Sequence, residues 1–328
     1  MKLPLTRIKR ILVIRNDRFG EFLLNLPVFA RLKEAFPDSK ITLIVKPQIE
    51  ELARRIPVID DVIIQDSLPA RSIYQKFNLI KNLRNRHFDI VLVLNPSKEF
   101  NVCTFLAGIP VRVGYDRKLG FLLNVKIKDE KSQGKRHEVD YNLDLLRAIG
   151  IETDINDAKF PLDIEAEDLP QTKKISLGIT NEPLIAIHPW SSNKDKEWPL
   201  VKFRELILKI HSELGIKSAV IGGKEEEERS ETLCRNTNCI NLTGKLNLVE
   251  LGAFFKGCKL LVTNDSGPMH LAAVLQTPVV AIFRSMPPSI NARRWGPVGN
   301  IYKIIEADMI DKIEIAEVFN GIKHFLVK

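Results

Sequence analysis

Leu260-Leu261-Val262-Thr263-Asn264-Asp265-Ser266-Gly267-Pro268-Met269-His270-Leu271-Ala272-Ala273 is the stretch whose reading decides the fold. Leu260-Leu261-Val262 reads as a buried strand, Ser266-Gly267 breaks it, and His270 onward begins a helical pattern. Pro278-Val279-Val280-Ala281-Ile282 is the next strand. A strand ending in small polar residues at a helix start presents backbone N–H groups and a positive dipole end to one place, which suits an anion, usually a phosphate. Working outward, the same strand–helix rhythm fills the chain. Strands are expected at Ile11–Ile14, Ile41–Val45, Val62–Ile64 and Ile90–Leu94, with helices at Phe22–Phe36 and Ser72–Arg86 among them. The rhythm blurs from about Asp129 to Lys174, where a helix over Val139–Ile149 precedes an acidic connector. It then resumes with strands Leu184–Ile187, Ser218–Ile221, Leu260–Thr263 and Val279–Phe283 and helices Val201–Leu214 and Glu225–Arg235. Such alternation is an α/β architecture of parallel sheets wrapped by helices. It predicts two Rossmann-like, doubly wound domains, residues 1–170 and 171–328, with the tail Ile313–Phe325 available to cross back to the first. Ligands of these sheets sit at the carboxyl ends of strands.

Composition narrows the class. The 328 residues are 45% hydrophobic and 27% charged, as in an ordinary globular chain with ample core. No apolar run reaches the length of a membrane-spanning helix, and Met1 to Arg7 contains no signal-peptide core. Cys103, Cys234, Cys239 and Cys258 lack CxxC spacing, so reduced, structural thiols and a cytoplasmic location are expected. The net charge of +8 is uneven: residues 1–150 hold 27 Lys and Arg against 17 Asp and Glu, and the remainder is slightly acidic. The first half therefore either meets something anionic or simply carries a lysine-rich solvated surface.

Three strand exits carry chemistry. The first is Arg15-Asn16-Asp17-Arg18-Phe19-Gly20-Glu21, where a dinucleotide binder would place GxGxxG. One glycine among several charges disfavours a dehydrogenase, and no GxxxxGKS/T loop exists. Capping alone accounts for a single carboxylate at a helix start. The cluster Arg15, Asp17, Arg18 and Glu21 offers more: a base held among cations, and cations for an anionic acceptor. The second exit, His188-Pro189-Trp190-Ser191-Ser192-Asn193-Lys194-Asp195-Lys196-Glu197-Trp198-Pro199, supplies hydroxyls and lysines suited to a diphosphate; a solvated turn over a packed Trp198 is the plainer alternative. The third is the opening stretch, in which Asp265 as a helix cap and His270 as an ordinary helix residue are the plain readings. Gly222-Gly223 marks a further close backbone approach.

Ile14 to Pro27, His188-Pro189 with Lys196-Glu197-Trp198-Pro199, and Asn264 to Ala273 together resemble the ADP-heptose:lipopolysaccharide heptosyltransferases, glycosyltransferase family 9, in order and spacing along almost the whole chain. The resemblance implies the GT-B type of fold, two Rossmann-like domains facing a central cleft, with an N-terminal acceptor domain and a C-terminal nucleotide-sugar domain. It implies an inverting, metal-independent transfer of heptose from ADP-heptose to the inner core of lipopolysaccharide, with no cofactor beyond the donor substrate. By position, Glu21 matches the general base, where family members usually have Asp. Ser191, Ser192 and Lys196 match diphosphate ligands, Lys196 also stabilising the leaving group. Ser266, Gly267 and His270 match the other half of that cradle, Asp265 lies beside the donor, and Gly223 and Glu226 lie toward the ribose. Arg15, Asp17 and Arg18 fall to the acceptor.

The lipid-linked acceptor implies a peripheral place on the inner membrane. Arg54, Arg55, Arg71, Lys76, Arg84, Arg86, Arg117 and Lys118 are candidates for the contact. Two other readings keep the fold: a transferase for a different nucleotide sugar or acceptor, and a non-catalytic binding or scaffold protein. Nucleic-acid binding is disfavoured, because the basic half has no interleaved aromatics and no zinc or helix-turn-helix signature.

Overall fold

The structure, a computed structural model, describes residues 8–66 and 73–326. The N-terminal segment read above for a signal peptide, as well as Arg71 and Ser72, lie outside the described residues. Two compact units are present. The first comprises Met1–Ser132 and Arg136–Asp163, the second Ile164–Lys328 together with Gln133–Lys135. Each is built on a six-stranded parallel sheet.

In the first unit the strands are β1 (Arg10–Ile14), β2 (Lys40–Val45), β3 (Asp61–Ile64), β4 (Ile90–Val93), β5 (Val111–Tyr115) and β6 (Val125–Ile127), in the order β3-β2-β1-β4-β5-β6. In the second they are β7 (Leu184–His188), β8 (Lys217–Val220), β9 (Cys239–Asn241), β10 (Cys258–Asn264), β11 (Val279–Arg284) and β12 (Tyr302–Ala307), in the order β12-β11-β10-β7-β8-β9. The central strands are sealed on both faces, as an all-parallel sheet requires. Ile11–Ile14, Ile90–Val93 and Leu184–Ile187 are essentially inaccessible to water. In each sheet the strand order reverses direction at one place, between β1 and β4 in the first and between β7 and β10 in the second. That switch opens a crevice at the carboxyl edge.

One expectation is corrected. The helix expected over Phe22–Phe36 is two helices, Phe19–Leu23 and Leu26–Ala35. Pro27 has no N–H to continue a helical ladder, so it stands in the first turn of a new helix. Asn25 sits at the break and donates its Nδ2 to the Glu21 carbonyl, 2.6 Å away, fixing the short helix that carries Glu21. The C-terminal helix, Ile315–Leu326, packs on the second unit. Val318, Phe319 and Ile322 are buried in that unit's core with Phe203, Val262 and Val280. Its apolar stripe at positions three and four apart finds its partner on the adjacent sheet.

Candidate active site

In the first unit the β1 exit stands at the switch point, beside the exit of β4. Arg15 is buried. Its Nε lies 2.8 Å from Asp17 Oδ1 and its Nη1 donates to the Leu94 carbonyl, so it holds the two exits together. Arg18 is exposed at the N-cap of the Phe19–Leu23 helix. Glu21 follows in the first turn, where the helix dipole favours negative charge. The Glu21 carboxylate accepts from its own backbone N–H. Burial, then the Asp17 carboxylate, pushes Glu21 above its ordinary value of 4.5 against the pull of Arg15 and Arg18. Asp17 is likewise raised by burial, against Arg15 and Lys131.

Sequence reasoning missed the support behind this mouth. Lys131 is buried, with its Nζ 2.5 Å from Glu138 Oε1 and 2.7 Å from Asn142 Oδ1 and standing over the Tyr115 ring. Asn142 in turn donates to the Leu24 carbonyl at the helix break. Sequence reading passes over these residues because Lys131 sits in the stretch where the strand–helix rhythm blurs. Asn16 on the β1 exit and Asn95 on the β4 exit were not singled out either. Each has a buried Oδ1 without a protein partner. Buried amide oxygens are almost always bonded, to protein or to ordered water.

In the second unit the exits of β7 and β10 meet. Asn264, fully buried, is the staple: its Nδ2 donates to the Pro189 carbonyl and its Oδ1 accepts from the Trp198 N–H. Trp198, inaccessible to water, anchors the far end of the loop by donating its indole N–H to the Ile313 carbonyl. Between these anchors Ser191 Oγ donates to the Asp265 carbonyl, and Lys196 Nζ lies 2.5 Å from Asp265 Oδ2. Lys196 and Asp265 are thus brought together as a largely buried ion pair. Burial raises the Asp265 carboxyl, with the Lys196 ammonium pulling the other way.

Ser266 is the extended N-cap residue of the helix Gly267–Val274, yet its hydroxyl does not cap it. The hydroxyl turns instead to Thr263 Oγ1 at 2.9 Å and His188 Nδ1 at 3.1 Å. The first-turn N–H groups of the helix are left to whatever meets them. His270 lies buried within that helix, Ser192 is exposed on the loop, and Gly267 opens the helix. The β8 exit completes the arc. The Trp190 indole lies against Gly222, where any Cβ would come within 2.4 Å of its Nε1, and this Nε1 donates to the Ile221 carbonyl. Gly223 is exposed beyond it. Glu226 feels both Arg229 and Glu197, the latter pair being 2.7 Å apart, so it borders the β7 loop. All the residues read from the sequence as donor ligands therefore lie on the exits of three adjacent strands.

A family model for glycosyltransferase family 9 (heptosyltransferase) matches residues 76–317, most of the chain. The chain belongs to glycosyltransferase family 9. Among curated relatives, lipopolysaccharide heptosyltransferase 2 of Escherichia coli is 26% identical over 301 residues, 86% of this chain and 84% of that protein. Solved structures share the fold. A glycosyl transferase family 9 protein from Veillonella parvula has a TM-score of 0.87 at 24% identity, with 97% of each chain covered. E. coli ADP-heptose LPS heptosyltransferase II has a TM-score of 0.84 at 22% identity, with 97% of this chain and 98% of that one covered. The fold is accordingly of the GT-B type, and the chain is a glycosyltransferase.

One residue of this family 9 enzyme was quoted in the second strand exit but given no role of its own. His188 ends β7 directly beside Thr263 of β10, beneath Ser266. Burial alone drives its pKa from 6.5 down to about 3, so it is a neutral imidazole that orients the Ser266 hydroxyl. The unfolded chain protonates this histidine near pH 6.5 while the folded one does not. Its contribution to stability is therefore full above pH 6.5 and falls as the pH drops toward about 3. Urea unfolding of the wild type should weaken through this window. His188→Gln, though less stable at neutral pH, should show a flatter profile, and identical slopes in both proteins would remove His188 as the source.

Proposed function

We propose that this chain moves heptose from ADP-heptose to the lipopolysaccharide inner core, by an inverting and metal-independent displacement at the cytoplasmic surface of the inner membrane. The observation that carries the reading is the cradle at the β7 and β10 exits, where an uncapped helix start, Ser191, Ser266 and the Lys196 ammonium converge. That combination suits a diphosphate. Its place in a family whose matched relatives include lipopolysaccharide heptosyltransferases supports the choice of sugar. On this reading the donor's diphosphate lies on the second unit and the anionic, lipid-linked acceptor on the first, near Arg18 and the Asn16 and Asn95 amides. Glu21 takes the proton of the acceptor hydroxyl as its oxygen attacks the anomeric carbon from the face opposite the diphosphate. The bond to the diphosphate oxygen breaks, its electron pair leaves with ADP, and Lys196 with the helix start stabilises the charge that develops there.

The test is a mass-spectrometric transfer assay with an inner-core acceptor, comparing ADP-heptose with other nucleotide sugars, with and without a chelator, and with NMR assignment of the new linkage. Transfer from ADP-heptose with inverted configuration, unaffected by chelation, is expected. Transfer from another nucleotide sugar alone would overturn the donor assignment. Absence of ADP binding in calorimetry would favour a scaffold role instead.

A further inference from the structure

The helix Ile73–Asn85 contains no acidic residue. It seals Leu79 and Leu83 against the first sheet and leaves Ile73, Tyr74 and Phe77 at 79%, 75% and 62% exposure. Positions one, three and four apart fall on one helical stripe, and Lys81 and Arg84 continue it. Scattered single apolar residues on a surface need no explanation, but a cluster on one face does. This cluster extends a wider pattern. All seven large apolar side chains exposed on the described residues of the first unit lie on one layer: this helix, the helix Lys98–Leu106, and the loop after β5. Arg84 donates to the Leu106 carbonyl and Asn101 to the Lys118 carbonyl, tying the three pieces side by side.

The layer has a direction. Arg10, the first residue of β1, donates to the Arg86 carbonyl just past the end of the Ile73–Asn85 helix, so that end lies at the amino edge of the sheet. The first turn, with Ile73, Tyr74 and Phe77, is consequently at the carboxyl edge, the edge that carries Glu21. The layer carries charge of both signs: Glu99 accepts from Ser97 and Asp116 is paired with Lys126. Lys76, Lys81 and Lys118 have no carboxylate partner among the described residues. Of the cations expected from sequence to make such a surface, Arg54, Arg86 and Arg117 are instead occupied by Glu50, Asp61 and Asp129.

The geometry points to this face as the docking surface for a bilayer carrying anionic phospholipid headgroups. Tyr74, Phe77 and Ile73 enter the interfacial region, and the lysines beside them meet the phosphates. An acid-free, lysine-bearing helix with bulky apolar and aromatic side chains at its leading end is built for an interface of that chemistry. Docking here presents the Glu21 edge toward the lipid surface. The inference rests on the proposed function only for the lipid-linked acceptor, since vesicle binding is read without any substrate.

The test is co-sedimentation of the full chain with vesicles of phosphatidylglycerol and phosphatidylcholine, and with phosphatidylcholine alone. Tyr74→Ser/Phe77→Ser and, separately, Lys76→Glu/Lys81→Glu should each lower binding to the anionic vesicles about tenfold or more, and high salt should weaken the wild type. The apolar pair is so exposed that folding is untouched, and transfer to a soluble, delipidated acceptor should persist. Unchanged vesicle binding in both variants, or equal binding to neutral vesicles, would overturn the proposal. So would a concentration-dependent dimer in light scattering that the apolar variant abolishes, because a second copy would then occupy the face. A chain that docks yet transfers no heptose would fail the functional reading and leave this one standing.

Discussion

Glu21→Gln should lower the turnover of sugar transfer by about two to four orders of magnitude, the weight that general acid–base catalysis ordinarily carries, with ADP affinity unchanged. The substitution keeps shape and volume and removes only the ability to accept a proton. ADP affinity is expected to hold because the residues that make the anion cradle belong to a separate sheet. The pH dependence supplies a second readout. A base must be ionised to act, and burial with Asp17 nearby raises the Glu21 pKa above 4.5. The acid limb of kcat/KM should therefore lie on the alkaline side of an ordinary glutamate. Stability should move the opposite way. Because the folded chain binds this proton more tightly than the unfolded one, stability falls as pH rises through the window above 4.5, and ionised Glu21 destabilises the fold at neutral pH. Glu21→Gln should accordingly melt at a higher temperature than the wild type while losing activity. A variant that kept wild-type turnover would remove Glu21 from the reaction. A variant with lowered turnover and lowered melting temperature would indicate structural damage rather than loss of a base.

The legible parts of the chain were those whose physics is local. Central strands such as Ile11–Ile14 and Ile185–Ile187 are buried on both faces, so an unbroken apolar run announces them. Apart from the edge strand β3, announced by its Val62-Ile63-Ile64 run, the outer strands did not announce themselves. β5 is interrupted by Arg112 and Gly114, β6 and β9 have three residues each, and β12 spaces its apolar residues with Lys303 and Glu306. Half-exposed strands of that kind carry no continuous pattern to read. The site divides along the same line. Glu21, Lys196 and Ser266 were visible because each follows a strand that could be read, and ligands gather at strand ends. The partners of those residues were hidden because they depend on register between strands far apart in sequence. His188 meets Ser266 only because β7 pairs with β10 so that Thr263 lies opposite His188, and Asn264 reaches Pro189 for the same reason. Neither fact has a sequence signature. The pairing of Lys196 with Asp265 was hidden likewise, and it changes what Lys196 should be expected to do.

Lys196→Met should lower turnover by about two to three orders of magnitude, the usual cost of deleting one preorganised charge from a transition-state cradle. It should also destabilise the protein, because it strands Asp265. Breaking a buried ion pair from one side costs about 3–5 kcal/mol, and the slight opening of this pair to water places it at the lower end. The two effects have different physical origins and a double variant separates them. In Lys196→Met/Asp265→Asn the stranded carboxylate is gone, so thermal stability should return close to that of the wild type. Turnover should not return, because the Lys196 ammonium is still missing from the leaving diphosphate. Calorimetry with ADP should show the corresponding weakening in both variants. If the double variant recovered activity along with stability, Lys196 would be serving only to neutralise Asp265, and the stabilisation of the departing diphosphate would have to come from the helix start at Ser266 alone.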